Sequence, residues 1–523
     1  LHRPAIIFLT GGATLALELL ASRVLTPYFG VSLYIWSSIL AITLAFLAVG
    51  YYGGGWLARR GEDPQRNLAF FIAPALSAAA IVGASLIYPL FFPWLAGVDL
   101  IFGSIVAATF LLSVPLVVLS AMNPLLIAIM PEKAGDAGAG RVFFISTVGS
   151  VAGVIVTAFV LIPHVTNFRG LLLLAILLAW LPVLGLLNVP NWRQRLLLAG
   201  AAALGLALAI GTYRFADDYL GKSRTLAAGD YSFTLMDEYS SVFGNLKVVK
   251  FAARDDPSFY AVLFLTDGLI QNRLLPDGAS DSEYTHALEA LSAAYAPDAE
   301  RALVLGIGAG VVPRTLAARG IAVDAVEINT AMVAAMRDHA GLESGWTVHV
   351  GDARTFARRC DGRYDLAVVD LFHGDGTPDY LLSAEFFADL RRCLAPGGVA
   401  VMNAFALTQD SDNYRSIVAT VQSAFARVES FRRPTAPSEI NLNTYLVAMA
   451  APVEPSGVTL DSVPPHLRDG LIATLRTRRA EPTADPAFAV ADERNIFSIL
   501  SAGDQMTFRR LLVQQLPPEL LVN

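Results

Sequence analysis

Charge and cysteine are both scarce in this chain. Only 16% of its 523 residues are Asp, Glu, Lys or Arg, against 54% hydrophobic, and the mean hydropathy of +0.53 is too high for an ordinary soluble protein. The two cysteines, Cys360 and Cys393, are too few and too widely spaced for a metal cluster or a disulfide framework, so free thiols are expected. The scattered histidines add no metal-binding pattern, and no metal is expected. Basic runs are missing from the second half of the chain, which argues against nucleic acid as a partner.

What is abundant is long apolar sequence, all of it at the front. The stretches Ala5–Phe29, Tyr34–Leu57, Leu68–Phe91, Ile101–Met130, Val142–Ile162, Gly170–Leu187 and Leu196–Tyr213 each approach or exceed the roughly 20 residues that cross a bilayer as a helix. Seven spans and a lipid bilayer are therefore expected. Leu1 is not a start methionine, and the opening residues do not resemble a cleavable signal peptide. Up to Tyr213 the only acids are Glu18, Glu62, Asp63, Asp99, Glu132 and Asp136, so nearly all of the 45 acids fall in the remainder. That acidic half suits a cationic substrate.

Orientation is contested within the sequence itself. Arg59, Arg60 and Arg66, then Lys133 and Arg141, then Arg193 and Arg195 occupy alternate loops, which the positive-inside rule assigns to the cytoplasm. Seven spans then put the C-terminal half outside. A nucleoside donor is made inside cells, which favours a cytoplasmic catalytic half, so that either one span is miscounted or the weak charge bias misleads. Ile101–Met130, interrupted by Pro115 and by Asn123-Pro124, is the candidate for a re-entrant or doubled segment. Within the spans, Glu18 and Arg23 lie about 140° apart on a helix and are expected to face other helices rather than each other. Gly149 and Gly153 permit close helix packing.

The second half carries the chemistry. Leu303-Val-Leu-Gly-Ile-Gly-Ala-Gly310 reads as a strand running into alternating glycines, Gly306, Gly308 and Gly310. About 20 residues on, Ile321-Ala-Val-Asp-Ala-Val-Glu327 ends a second strand in an acid. A backbone that lets a ligand approach closely, with an acid able to hold two ribose hydroxyls, is a nucleoside pocket. Short β-rich runs at Ala302–Leu305, Ala322–Val326, Thr347–Val350, Leu366–Val369 and Val399–Met402 alternate with helical ones, which predicts a doubly wound, Rossmann-like parallel sheet. Upstream, Leu246–Phe251 and Ala261–Leu265 predict a small β domain. The fold class is thus a multi-pass α-helical membrane domain plus α/β. Its expected divisions are 1–213 transmembrane, 214–280 β-rich, 281–455 catalytic and 456–523 a helical extension.

From about Tyr239 to Phe405 the chain resembles polyamine aminopropyltransferases of the spermidine synthase type. The resemblance rests on Asp267-Gly-Leu-Ile-Gln271, Tyr284, the glycine loop, Glu327-Ile-Asn329, His349-Val-Gly-Asp352 and Val368-Val-Asp370. The front half, with Leu17-Glu18, Arg23, Pro27-Tyr-Phe-Gly30 and Gly53-Gly-Gly55, is similar to the multi-pass domain fused to such enzymes in many bacteria. The resemblance implies that Glu327 binds the ribose hydroxyls, Asp352 the adenine amino group and Gln271 the ribose or sulfonium side. It makes Asp370 the general base and has Tyr284 position that base or the acceptor amine. Decarboxylated S-adenosylmethionine would be the donor, an amine or polyamine the acceptor, and the bacterial inner membrane the location. A homodimer is left open.

Three positions depart from the pattern. Ala309 stands where the family has an acid that grips the aminopropyl amine, Gly244 where it has a glutamine, and His373 where it has a second catalytic-loop acid. Asp375 and Asp379, in the loop Gly374-Asp-Gly-Thr-Pro-Asp379, are candidates to compensate. His286 either faces the pocket or makes a helix contact, the latter being the expectation. Ala309 leaves room for a donor that keeps its carboxylate, so S-adenosylmethionine-dependent methyl or aminocarboxypropyl transfer is the alternative. A transporter or sensor with a non-catalytic nucleoside- or polyamine-binding domain is the third reading.

Overall fold

The computed structural model describes residues 2–130, 135–222, 224–256, 259–340, 345–372, 374–434, 443–513 and 515–523. It divides into two compact units, one of residues 1–226 with 510–523 and the other of residues 227–509. His373 lies outside the described residues.

The first unit is helical. Seven of its described helices are long and apolar enough to cross a membrane: His2–Phe29, Leu33–Arg60, Asp63–Val98, Leu100–Ile129, Asp136–His164, Asn167–Gly185 and Trp192–Arg214. Their outward faces are apolar. On the second helix Leu33, Trp36, Leu40 and Leu44 are exposed, and on the fifth Phe144, Val148, Val151, Ile155 and Phe159 form a continuous exposed stripe. A water-soluble helix would put polar residues there, so these stripes are consistent with a multi-pass membrane region. The first and fifth helices cross almost backbone to backbone. A Cβ on Gly149 would lie 2.0 Å from the Phe8 carbonyl oxygen, and one on Gly153 would lie 2.3 Å from that of Gly12. The chain end belongs to this unit too, the Phe168 amide donating to the Asn523 carbonyl at 2.6 Å.

The segment expected to be re-entrant or doubled holds one helix long enough to cross a membrane and a short continuation, not two crossings. The helix Leu100–Ser120 ends at Ala121, and Met122–Ile129 follows with only 8 residues. At 1.5 Å per residue that piece reaches about 12 Å, far short of a second crossing.

In the second unit the small β domain is an antiparallel meander of β1 (Leu226–Ala228, which begins at the unit boundary), β2 (Tyr231–Ser241), β3 (Gly244–Ala253), β4 (Tyr260–Thr266) and β5 (Leu269–Leu274). Asp267-Gly268 closes the β4–β5 hairpin with positive φ at both residues, 47° and 77°. The Asp-Gly pair suits that mirror-image turn. The larger sheet contains β6 (Arg301–Leu305), β7 (Ala322–Glu327), β8 (Trp346–Val350), β9 (Tyr364–Val369), β10 (Leu394–Phe405), β11 (Arg427–Phe431), β12 (Asn443–Met449) and β13 (Arg479–Ala480). Its order is β13-β11-β12-β10-β9-β6-β7-β8. Strands β6 to β10 are parallel, and β11 to β13 add an antiparallel edge. This is the expected doubly wound, Rossmann-like architecture. Its order reverses between β6 and β9, which opens a crevice at their carboxyl ends.

The expectation of free thiols is corrected. Cys360 and Cys393 form a disulfide, with Cα atoms 5.0 Å apart. They are 33 residues apart, but the start of β9 runs beside the end of the helix Ala384–Cys393, where the Arg363 amide donates to the Cys393 carbonyl at 2.8 Å. Sequence spacing does not register that return.

Candidate active site

At the switch point two backbones touch. The Asp370 amide donates to the Leu305 carbonyl at 2.9 Å, continuing the β6–β9 ladder past its last paired residues. Directly beside it, a Cβ on Gly306 would lie 2.1 Å from the Asp370 carbonyl oxygen, and its φ is +88°. Only glycine fits that approach. Where the loop leaves β6, a cavity of about 410 Å³ opens. That volume lies within the range of small-molecule sites.

Gln271, Tyr284, Gly306, Gly308, Glu327, Asp352 and Asp370 all line this cavity. Gly310 does not line it. It caps the helix Val311–Ala318 in a left-handed conformation, and a Cβ there would meet the Met336 sulfur at 2.7 Å. Its lack of a side chain lets this helix start pack against Met336 of the helix Thr330–His339.

The Glu327 carboxylate ties the loop together, accepting the Ile307 amide at 3.2 Å and the Asn329 amide at 2.8 Å. Burial raises its pKa, and these backbone bonds oppose the rise. A carboxylate has about four acceptor positions, so two bonds leave capacity for a pair of ligand hydroxyls. Asp352 caps the helix Ala353–Ala357 by accepting the Thr355 amide at 2.7 Å, and its other oxygen accepts the Tyr380 hydroxyl at 2.8 Å. Burial raises its pKa, but these bonds outweigh the burial and hold it below the usual carboxylate value.

Asp370 differs from both. Protein surrounds it closely, yet it keeps some accessible surface toward the cavity. Burial pushes its pKa up to about 6, the nearby Glu327 charge adds to the rise, and the Asn403 side-chain amide, donating at 3.0 Å, opposes it. A carboxylate poised there is ionised at neutral pH and can still take a proton. Tyr284 is committed elsewhere. Its hydroxyl donates to the Gln271 carbonyl at 2.7 Å and accepts the Asn272 side-chain amide at 3.1 Å. Burial, reinforced by the Asp370 charge, keeps that hydroxyl protonated well above its ordinary pKa. Its proton thus fixes the start of β5 and is not bonded to Asp370.

The two loop acids do not compensate for the missing family acids. Asp375 is paired with Arg509 at 2.6 Å, with both side chains almost fully buried. Asp379 accepts the Ser498 amide at 3.2 Å, and its carbonyl accepts the Asn495 side-chain amide at 2.7 Å. Gly244 has φ +121°, and a Cβ there would lie 2.6 Å from the Asp267 carboxylate, so a glutamine would not fit. His286 is structural. It is buried, with one ring nitrogen 2.9 Å from the Ser280 carbonyl and the other 3.3 Å from Glu289.

Sequence reasoning missed Asn403, Tyr380, Phe508 and Arg509. Asn403 did leave a signal. It follows the apolar run Val399–Met402 of β10, and Met402 pairs with Val369, so the next residues on the two strands are Asn403 and Asp370. The other three come from segments with no periodic pattern.

Among known proteins, a family model described as "Methyltransferase domain" matches residues 302–398. A polyamine aminopropyltransferase of Vibrio vulnificus (strain CMCP6) is 27% identical over 190 residues, which is 32% of this chain and 62% of that protein. The chain thus spans about three fifths of that relative's length. Polyamine aminopropyltransferase 2 of Streptomyces coelicolor is 28% identical over 457 residues, covering 81% of this chain and 76% of that protein. An alignment of that length reaches into the apolar helices. An N-terminal histidine N-methyltransferase of Emericella nidulans is 29% identical over 222 residues, 41% of this chain and 38% of that protein. The chain is a distant relative of the S-adenosylmethionine-dependent aminopropyl- and methyltransferases, carrying a multi-helix apolar region.

Proposed function

We propose that this protein is a membrane-bound transferase that moves an aminopropyl group from decarboxylated S-adenosylmethionine to an amine. The observation that carries the reading is Asp370, a carboxylate with its pKa raised to about 6 at the switch point of the sheet, beside the glycine loop. Glu327 and Asp352 line the same cavity and have acceptor capacity for ribose hydroxyls and an adenine amine. In the reaction the acceptor nitrogen attacks the methylene beside the sulfonium, and the carbon–sulfur pair goes to sulfur. Methylthioadenosine leaves as a neutral thioether, and Asp370 takes the proton from the new ammonium or from the incoming one. Much of the acceleration comes from holding nitrogen, carbon and sulfur in line. Because the donor is made inside cells, the catalytic unit is proposed to face the cytoplasm at a bacterial inner membrane.

Ala309 favours a second reading, since the loop position it occupies is buried and uncharged and has no carboxylate to hold an aminopropyl amine. In this version intact S-adenosylmethionine donates a methyl or aminocarboxypropyl group. Purified protein incubated with either donor and a panel of amines tests both. Methylthioadenosine from decarboxylated donor, detected by mass spectrometry, supports aminopropyl transfer. From intact donor, S-adenosylhomocysteine supports methyl transfer and methylthioadenosine supports aminocarboxypropyl transfer. Neither product with any amine removes the transferase reading.

A further inference from the structure

The acceptor side of the cavity, beyond Asp370, is walled by rings. Phe372 and Phe405 meet edge to face with centroids 6.3 Å apart, and Phe405 meets Phe508 the same way at 5.4 Å. All three line the cavity. Phe508 comes from the helix Ala502–Val513, which is anchored where the Asp504 carboxylate accepts the Leu407 amide at 3.0 Å and the Asn413 side-chain amide at 2.9 Å.

The same helix cancels the one acid of this wall. Arg509 is fully buried, contacts the Asp375 carboxylate at 2.6 Å and donates to the Asp267 carbonyl at 2.7 Å. Asp375 therefore presents no net charge to an entering ligand. Glu327 and Asp352 are bound to backbone amides on the nucleoside side. Among the described residues that line the cavity, Asp370 alone is a carboxylate that accepts from neither a cation nor a backbone amide, since Asp352, besides the Tyr380 hydroxyl, accepts the Thr355 amide. One acid can serve one amine. The far end of a diamine would bring a second ammonium against phenylalanine faces and a buried guanidinium. The weak attraction of those faces does not replace ammonium hydration.

From this we infer that the acceptor is a monoamine with an apolar body rather than a diamine, a conclusion that rests on the transferase reading for its chemistry but not for its binding geometry. The reactive nitrogen sits at Asp370, and the hydrocarbon lies along Phe372, Phe405 and Phe508. Arg509 acts as a specificity residue through Asp375.

The test compares n-pentylamine with 1,5-diaminopentane, which differ by one ammonium group. Binding of each to the full chain in detergent, saturated with methylthioadenosine, is measured by calorimetry, and initial rates with both sulfonium donors are measured alongside. The monoamine is expected to bind about tenfold more tightly or better, a difference of about 1.4 kcal/mol. Arg509→Gln frees the Asp375 charge and should shift the ratio about tenfold toward the diamine. Arg509→Gln with Asp375→Asn should restore the monoamine preference. If thermal melting shows that the single variant does not fold, the parent and the double variant decide. Equal or tighter binding of the diamine to the parent overturns the inference, as does binding of neither amine. Preferential binding of the monoamine without product from either donor leaves the selectivity standing and sinks the transferase reading alone.

Discussion

The two units are held together internally by different means. In the helical unit, helices approach main chain to main chain with nothing between them, as where Gly149 and Gly153 meet Phe8 and Gly12. In the second unit main chains also touch at Gly306 and Asp370, but the segments around the cavity are tied by charge, as where Glu327 and Asp352 gather backbone amides. Helices in lipid gain nothing by hiding apolar surface from lipid tails, so they associate by van der Waals contact over small residues. A site that must recognise a polar ligand needs hydrogen-bonding groups already fixed in place. The helical unit should therefore be intolerant of added volume and the catalytic unit intolerant of lost charge.

The largest effect is expected at Asp370. Asp370→Asn keeps size and a hydrogen-bonding group but removes the proton acceptor, so donor binding should persist while turnover falls about 10²–10⁴-fold. The defect should narrow at high pH, where more of the amine is already neutral. In the parent, the rate should fall as pH drops through about 6, because the base is lost on protonation. The stability sign is opposite. A carboxyl whose folded pKa is raised favours folding when protonated and loses that contribution as pH rises through about 6. The asparagine variant should then melt higher than the parent at pH 7.5 and no higher at pH 4. A variant that has lost donor binding, with a residual rate independent of pH, would make Asp370 a ligand-holding group.

Next comes Glu327→Ala, expected to weaken adenosyl-ligand binding by about 1.5–3 kcal/mol, the worth of hydrogen bonds to a charged group. Unchanged calorimetric affinity would break the contrast on the catalytic side. Gly149→Leu tests the other side. Its side chain would start 2.0 Å from the Phe8 carbonyl, and overpacking of this kind costs about 1–3 kcal/mol. Detergent melting should show the loss, whereas Gly83→Leu, where nothing lies within 4 Å of the new Cβ, should show little. Similar melting of both variants would remove the role assigned to small residues.

The last prediction carries no energy and decides orientation. A tag placed after Asn523 should be protected from external protease in intact cells if the donor argument holds. Arginines in alternate loops and seven observed helices predict the reverse. Thiol titration reads the same question independently. A domain in a reducing cytoplasm should yield Cys360 and Cys393 as reactive thiols after denaturation, and one outside should retain the disulfide.

Much of the catalytic sheet was legible because its evidence is local. Val304-Leu305 running into Gly306, and Val326 running into Glu327, each state within a few residues where a strand ends and what stands at its end. The seven spans were legible for the same reason. What could not be read were partners that only folding brings together. Asn403 reaches Asp370 across 33 residues, Tyr380 reaches Asp352 across 28, and Arg509 reaches Asp375 across 134. The disulfide and the neutralised loop acid belong to this class, whereas the break at Ala121 was announced by Asn123-Pro124. Gly310 was assigned to ligand binding because its spacing fits the loop. The spacing could not distinguish a glycine lining the cavity from one whose Cα faces the Met336 side chain and whose amide donates to the Ile307 carbonyl.

The main-chain contact between Gly306 and Asp370 has a consequence for how such a molecule can diversify. The groups proposed to handle the donor are set by the sheet's own ladder, so altering them means rebuilding two central strands. The acceptor wall takes Phe372 from just beyond β9 and Phe405 from the end of β10, but Phe508 and Arg509 come from the helix Ala502–Val513, far along the chain. Exchanging Phe508 or dissolving the Arg509–Asp375 ion pair leaves the strand ends untouched. Such a division lets a lineage change what it modifies while keeping how it modifies it, and a library confined to Phe508, Arg509 and Asp375 would sample that freedom directly.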